Sequence, residues 1–138
     1  MLLYSILFAL CSFHLYAQSA GSIKAGPMVT HADMRQVTIW LQMSNPCDVR
    51  IQYAPIDAPT AKKQSITYKA DASNGYRLHI VLDSVEPGKR YSYAVSVNGQ
   101  TIQIAYPLEF SIPPLWQWRS DPPSFTVALG SCFYVNEV

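Results

Sequence analysis

Apolar side chains recur at every second position in four separate stretches of this chain, and that spacing constrains the fold more than any other feature. Val37, Ile39, Leu41 and Met43 alternate with Gln36, Thr38, Trp40 and Gln42. Val49, Ile51 and Tyr53 alternate with Asp48, Arg50 and Gln52, and Tyr76, Leu78, Ile80 and Leu82 repeat the pattern. Tyr91, Tyr93, Val95 and Val97 form the fourth series. Successive side chains of a strand point to opposite faces, so each stretch predicts a strand with one face in a core. No helical period of useful length follows the first twenty residues, and there is no internal repeat.

Turn signals separate these stretches. Ser44-Asn45-Pro46, Asn74-Gly75 and Pro87-Gly88 read as turns, and Asn98-Gly99 supplies the positive φ angles of a two-residue hairpin. The strand returning from that hairpin is predicted to run from Gln100 to about Ile112. PIDAPTAKK is a loop or an edge, because Pro55 and Pro59 cannot donate to a ladder, and SITYKA is a short edge strand. Tyr91, four residues beyond Pro87 at a strand entry, suits a tyrosine corner, whose hydroxyl bonds back to upstream backbone. The expected architecture is all-β: a fibronectin-III or immunoglobulin-like sandwich of about seven strands over residues 25–112.

Two proline pairs then bracket Trp116 and Trp118 in PPLWQWRSDPP, a stiff linker over 113–124 whose indoles can dock on a neighbouring surface. FTVALGSCFYVNEV opens a fresh strand at Phe125, so residues 125–138 are expected to begin a second domain. At the other end, MLLYSILFALCSFHLYAQSA is apolar from Leu2 to about Leu15, and the first charged residue is Lys24. Residues 1–17 therefore read as a secretory signal peptide with Ala17 before the cut, which places the chain outside the cytoplasm, secreted or periplasmic. An uncleaved anchor is the other reading, but ~17 residues interrupted by His14 are short for a span.

Composition excludes some functions. Ten Lys and Arg stand against nine Asp and Glu, a formal net charge of +1, which offers no electrostatic footprint for a nucleic acid. The apolar share of 49%, with nine Tyr and ten Pro, suits a turn-rich, β-rich extracytoplasmic domain. His14, His31 and His79 lie at no zinc-site spacing, and no Gly-x-Ser-x-Gly or phosphate-cradling glycine loop occurs. Asp33, Asp48, Asp57, Asp71 and Asp83 fall in turns or on polar faces, where Asp bonds local backbone. Once Cys11 leaves with the signal, Cys47 and Cys132 remain; Cys47 reads as a lone, partly buried thiol after the Asn45-Pro46 turn. Cys132 ends a strand, with Tyr134 and Glu137 close behind, a place where sites assemble but where a structural thiol is the commoner outcome.

Three stretches, GPMVTHADMRQVTIWLQ, VEPGKRYSYAVSVNG and FTVALGSCFYVNE, resemble the N-terminal part of the alkaline phosphatase D (PhoD-like) family of secreted metallophosphoesterases. The first two also suit other fibronectin-III-like domains, including the one that precedes the catalytic domain of purple acid phosphatases. The resemblance implies a sandwich followed by the first strand of a truncated α/β metallophosphatase domain, against which the sandwich would pack. It further implies iron and calcium in the full-length enzyme, a phosphate-ester substrate, and Cys132 as an iron ligand. The remaining ligands would lie beyond Val138, so this stretch by itself is expected to hold no metal, to contain no catalytic residue and to turn over no ester. The competing expectation is a free-standing secreted binding or adhesion module of fibronectin-III type.

Overall fold

A computed structural model of the chain describes residues 21–117 and 119–130. Nine strands form in chain order: β1 (Ile23–Ala32), β2 (Val37–Met43), β3 (Cys47–Pro55), β4 (Lys63–Gln64), β5 (Tyr68–Ala70), β6 (Arg77–Leu82), β7 (Arg90–Val97), β8 (Gln100–Thr101) and β9 (Glu109–Ser111). One sheet runs β1-β2-β6; the other runs β4-β3-β7-β8, with β5 also on β3 and β9 also on β7. Every pairing is antiparallel. Among the described residues the helical content is one 3-10 turn, Ala72–Asn74.

The alternation resolves as expected from its spacing. Val37, Ile39, Leu41 and Met43 are fully buried beside Leu78 and Ile80 of the same sheet and face Val49, Ile51, Val95 and Val97 of the other, the intervening residues pointing outward. Each such side chain contributes about 1.5–3 kcal/mol when withdrawn from water. At one end of the core, Tyr91 stacks on Phe110 with ring centroids 5.2 Å apart, and Tyr53 and Tyr93 tilt against the same ring. Asn98 and Gly99 both have positive φ, and Val97 pairs directly with Gln100, so the two-residue hairpin forms as predicted.

The structure corrects three sequence expectations. Tyr76 does not belong to β6: it follows Gly75, and both have positive φ, so the chain is still turning there. SITYKA is not one strand. β4 and β5 pair with β3 on either side of Ile66 and Thr67, and Ile66 is 74% exposed. The return from the hairpin is also not continuous. Ser96 faces Thr101 and Ser92 faces Glu109, so four steps along β7 correspond to eight along the return, and the surplus bows out between β8 and β9. Pro107 lies in that bow, where its missing N–H costs no ladder bond. Tyr106 at its tip directs its hydroxyl to the carbonyls of Gly26 and Pro27, each at 3.4 Å, and so ties the second sheet to β1.

Beyond β9, Trp116 O accepts bonds from the N–H groups of Arg119 and Ser120 and turns the linker. Residues 121–130 are exposed and carry no assigned strand. Phe125, Val127 and Leu129 are 84%, 62% and 93% exposed, so the expected strand has no sheet partner among the described residues. Residues 1–17, expected to form a signal peptide, and residues 131–138 of the expected second domain lie outside the described residues.

Candidate functional site

The outer face of the three-stranded sheet carries its most distinctive side chains. Trp40, between the buried Ile39 and Leu41, points outward from β2 and is half-buried. Its antiparallel partners are Met28 on β1 and His79 on β6. Directly paired residues share a face with Cβ atoms about 4.5–5.5 Å apart, so Met28, Trp40 and His79 form one row across the sheet. The next row pairs His31, Thr38 and Val81, and the row beyond pairs Ala25, Gln42 and Arg77. Met28 is 50% exposed and Val81 40% exposed.

Local backbone holds this face. Gly26 has φ +80, and a Cβ there would lie 2.8 Å from the Trp40 carbonyl oxygen. The register of β1 shifts between Ala25 and Met28 at this glycine, which lets β1 lie close against β2. On the opposite side Gln42 Nε2 donates to Gly75 O at 3.1 Å, and Arg77 Nε donates to Asn74 O at 3.2 Å. Asp71 anchors that turn by accepting from the N–H groups of Ser73 and Asn74. None of the three strands contains a carboxylate, while Lys24, His31, Arg77 and His79 supply basic groups. The face is therefore apolar at its centre and mostly basic around it, with the Asp33 carboxylate beside His31 at one margin.

A second concavity, about 660 Å³, opens at the end of the sandwich beside Cys47, between Pro46, Asp48, Lys69 and Asn98. Its polar groups serve the fold. Asn98 Oδ1 accepts from Asp48 N at 2.9 Å and Asn98 N donates to Asp48 O at 2.8 Å. Cys47 is a free, buried thiol, as the sequence indicated, and burial, followed by the charge of Asp48, pushes its pKa up, which leaves it a poor nucleophile. His31 sits near the end of β1, 3.6 Å from Asp33, and His79 points outward on β6. Among the described residues no three His, Cys, Asp or Glu side chains gather as metal ligands would. Cys132, the one expected metal ligand, lies outside the described residues together with Tyr134 and Glu137. Sequence reasoning overlooked the Met28–Trp40–His79 row; the outward Trp in an otherwise Gln- and Thr-bearing strand face was its one available signal.

The DUF7800 family model, described as a domain of unknown function, matches residues 20–114, and the chain belongs to that family. No curated protein matches it. In fold it is similar to the sensor domain of the anti-sigma factor RsgI4 of Pseudobacteroides cellulosolvens. One structure of that domain superposes with a TM-score of 0.51 at 14% identity, covering 72% of this chain and 100% of the other. A solution structure of the same domain gives 0.51 at 13%, covering 80% and 92%. The fibronectin-III domain of human contactin 1 gives 0.48 at 13%, covering 75% and 90%. These findings overturn the resemblance to the PhoD-like phosphatases. Two of the three stretches that carried it, up to Asn98-Gly99, lie inside the DUF7800 match and make sandwich strands that many such domains share. Period-two strands and a Pro-Gly turn report the sandwich and nothing of the chemistry attached to it.

Proposed function

We propose that this chain is an extracytoplasmic recognition module that binds a protein partner through the outer face of the β1-β2-β6 sheet. The observation that carries the reading is the Met28–Trp40–His79 row, an aromatic and thioether centre free of carboxylates. Trp, Met and Arg are enriched, and Asp and Glu depleted, where proteins meet, and a rigid sheet presents such a patch with little ordering cost. The fold it has in common with the RsgI4 sensor domain is compatible with this use and does not itself supply a ligand. The basic groups around the patch favour a partner surface that is neutral to acidic.

The direct comparison is retention of the chain and of its Trp40→Ser variant on an immobilised envelope-protein fraction from its own source cells, with a protease-digested fraction alongside. Retention should fall at least about tenfold for the variant, the loss typical of a buried aromatic anchor, and should vanish on the digested fraction. Equal retention of both proteins, or retention that survives digestion, would exclude this face or this partner class.

A further inference from the structure

Two features lack partners among the described residues, and their requirements match. The first is the free edge of β6. The hydroxyl of Tyr68 accepts the Val81 N–H at 3.1 Å, which fixes that N–H as pointing away from β2. Strand alternation gives Arg77 and His79 the same direction, whereas Tyr76 O turns inward to accept from Met43 N. β6 thus offers a six-residue edge, Arg77–Leu82, on which, among the described residues, only the Val81 donor is engaged, and that by a side chain. Beside this edge, between β6 and the β4–β5 segment, runs a groove of about 470 Å³ whose apolar wall is Tyr53, Ile66, Tyr68, Val81 and Leu82. Ile66 is 74% exposed there.

The second feature is the segment Phe125–Gly130. Phe125, Val127 and Leu129 alternate with Thr126 and Ala128 and are exposed, and no residue from Phe125 to Gly130 carries a charge. An uncharged, β-prone, period-two segment without a sheet is a strand that lacks an edge, and natural edges are normally guarded against such segments by charge or proline. β1 is the poorer acceptor, with its register shifts and Pro27. β9 has three residues.

We infer that Phe125–Gly130 of one copy adds as a strand to the β6 edge of a second copy, seating Phe125, Val127 and Leu129 against the groove wall. Lengths agree: six residues of edge and six of strand. The second copy is favoured over the chain's own edge by topology. The tail departs after β9, on the flank where Tyr106 reaches Gly26 and Pro27 of β1, while β6 lies on the opposite flank beside Tyr68. Pro113, Pro114, Pro122 and Pro123 stiffen the intervening chain, and a return across the sandwich would have to bend it back on itself. Main-chain bonds to an edge supply affinity and alternate side chains in a groove supply specificity, as in β-strand addition generally.

Sedimentation velocity across the micromolar range, paired with hydrogen exchange on the same samples, tests this. The chain should dimerise, with amides of 125–130 and of 77–81 slowed together by about tenfold or more as concentration rises. Val127→Asp, which sets a charge against the apolar groove wall at an exposed position, should abolish both effects. Tyr68→Phe frees the Val81 N–H for the incoming strand and should tighten the dimer. A chain that stays monomeric, a dimer that survives Val127→Asp, or tail protection that is independent of concentration would each overturn the inference. So would protection of 77–81 without the tail, or a Tyr68→Phe dimer of unchanged affinity.

Discussion

The hydroxyl of Tyr91 accepts a hydrogen bond from the backbone N–H of Glu86 at 2.9 Å while its ring, wholly buried, stacks on Phe110. This one side chain joins the turn before β7 to the aromatic end of the core. Tyr91→Phe keeps the ring and removes the acceptor, leaving the Glu86 N–H without its partner. The loss should be about 1–2 kcal/mol, which for a domain of this size lowers the thermal midpoint by at least about 4 °C. Circular dichroism melting measures it. An unchanged midpoint would mean that the corner contributes nothing.

Gly26 gives a sharper backbone test. Its φ of +80 and the 2.8 Å approach of a would-be Cβ to the Trp40 carbonyl leave no room for a side chain. Gly26→Ala should cost roughly 1–3 kcal/mol and, because β1 must lift off β2, should increase the solvent exposure of Trp40. Urea unfolding followed by Trp40 fluorescence, in a chain with Trp116 and Trp118 replaced by Phe, reports both. A variant as stable as the parent would contradict the close β1–β2 approach.

Acid should erode the domain through two turn carboxylates, Asp33 and Asp71. The Asp71 carboxyl is held below its ordinary value of 3.8 first by the Ser73 hydroxyl and then by the N–H of Asn74. Asp33 is held below 3.8 chiefly by the N–H groups of Arg35 and Gln36. Both pKa values are depressed on folding, so their stabilisation is fully present well above 3.8 and is lost as pH falls through the lower, folded-state values. The urea midpoint should therefore decline below about pH 4, and the decline should flatten in Asp33→Asn/Asp71→Asn. An equally steep acid limb in that variant would place the titration elsewhere.

Cys47 should behave as a core side chain. Burial raises its pKa, and Gly21 packs so closely that a Cβ there would sit 2.9 Å from Cys47 Cβ. In a chain carrying Cys11→Ser and Cys132→Ser, an aromatic disulfide reagent at neutral pH should label Cys47 at a rate limited by opening of the fold, and quickly only in denaturant. Prompt labelling of the native chain would show an accessible thiolate and make the 660 Å³ concavity beside it a reactive site.

Much of the sandwich was legible because alternation reports directly which side of a strand is buried. Leu41, Ile51, Ile80 and Val95 are where their spacing put them, Asn98-Gly99 makes its hairpin, and Tyr91 makes its corner. Register was less legible. Nothing local to Gln100–Ile112 states that Ser92 will face Glu109, because the slip depends on pairings with β7 and on a bow whose Tyr106 reaches Gly26 and Pro27, some eighty residues earlier in the chain. The Met28–Trp40–His79 row also depends on pairings between strands distant in sequence, and so it escapes a strand-by-strand reading. The phosphatase resemblance failed for a related reason. Its strands and turns define a fold that serves many functions, while its chemistry rested on one residue, Cys132.

Hydroxyl-radical footprinting of the chain, free and bound to the envelope-protein fraction, tests the central claim most directly, because Met28 and Trp40 are both oxidisable and both lie on the proposed face. Binding should slow oxidation of Met28 and Trp40 together and leave Tyr106, half-exposed at the β8–β9 bow, unchanged. Unchanged oxidation of Met28 and Trp40 in a chain that is demonstrably bound would contradict it.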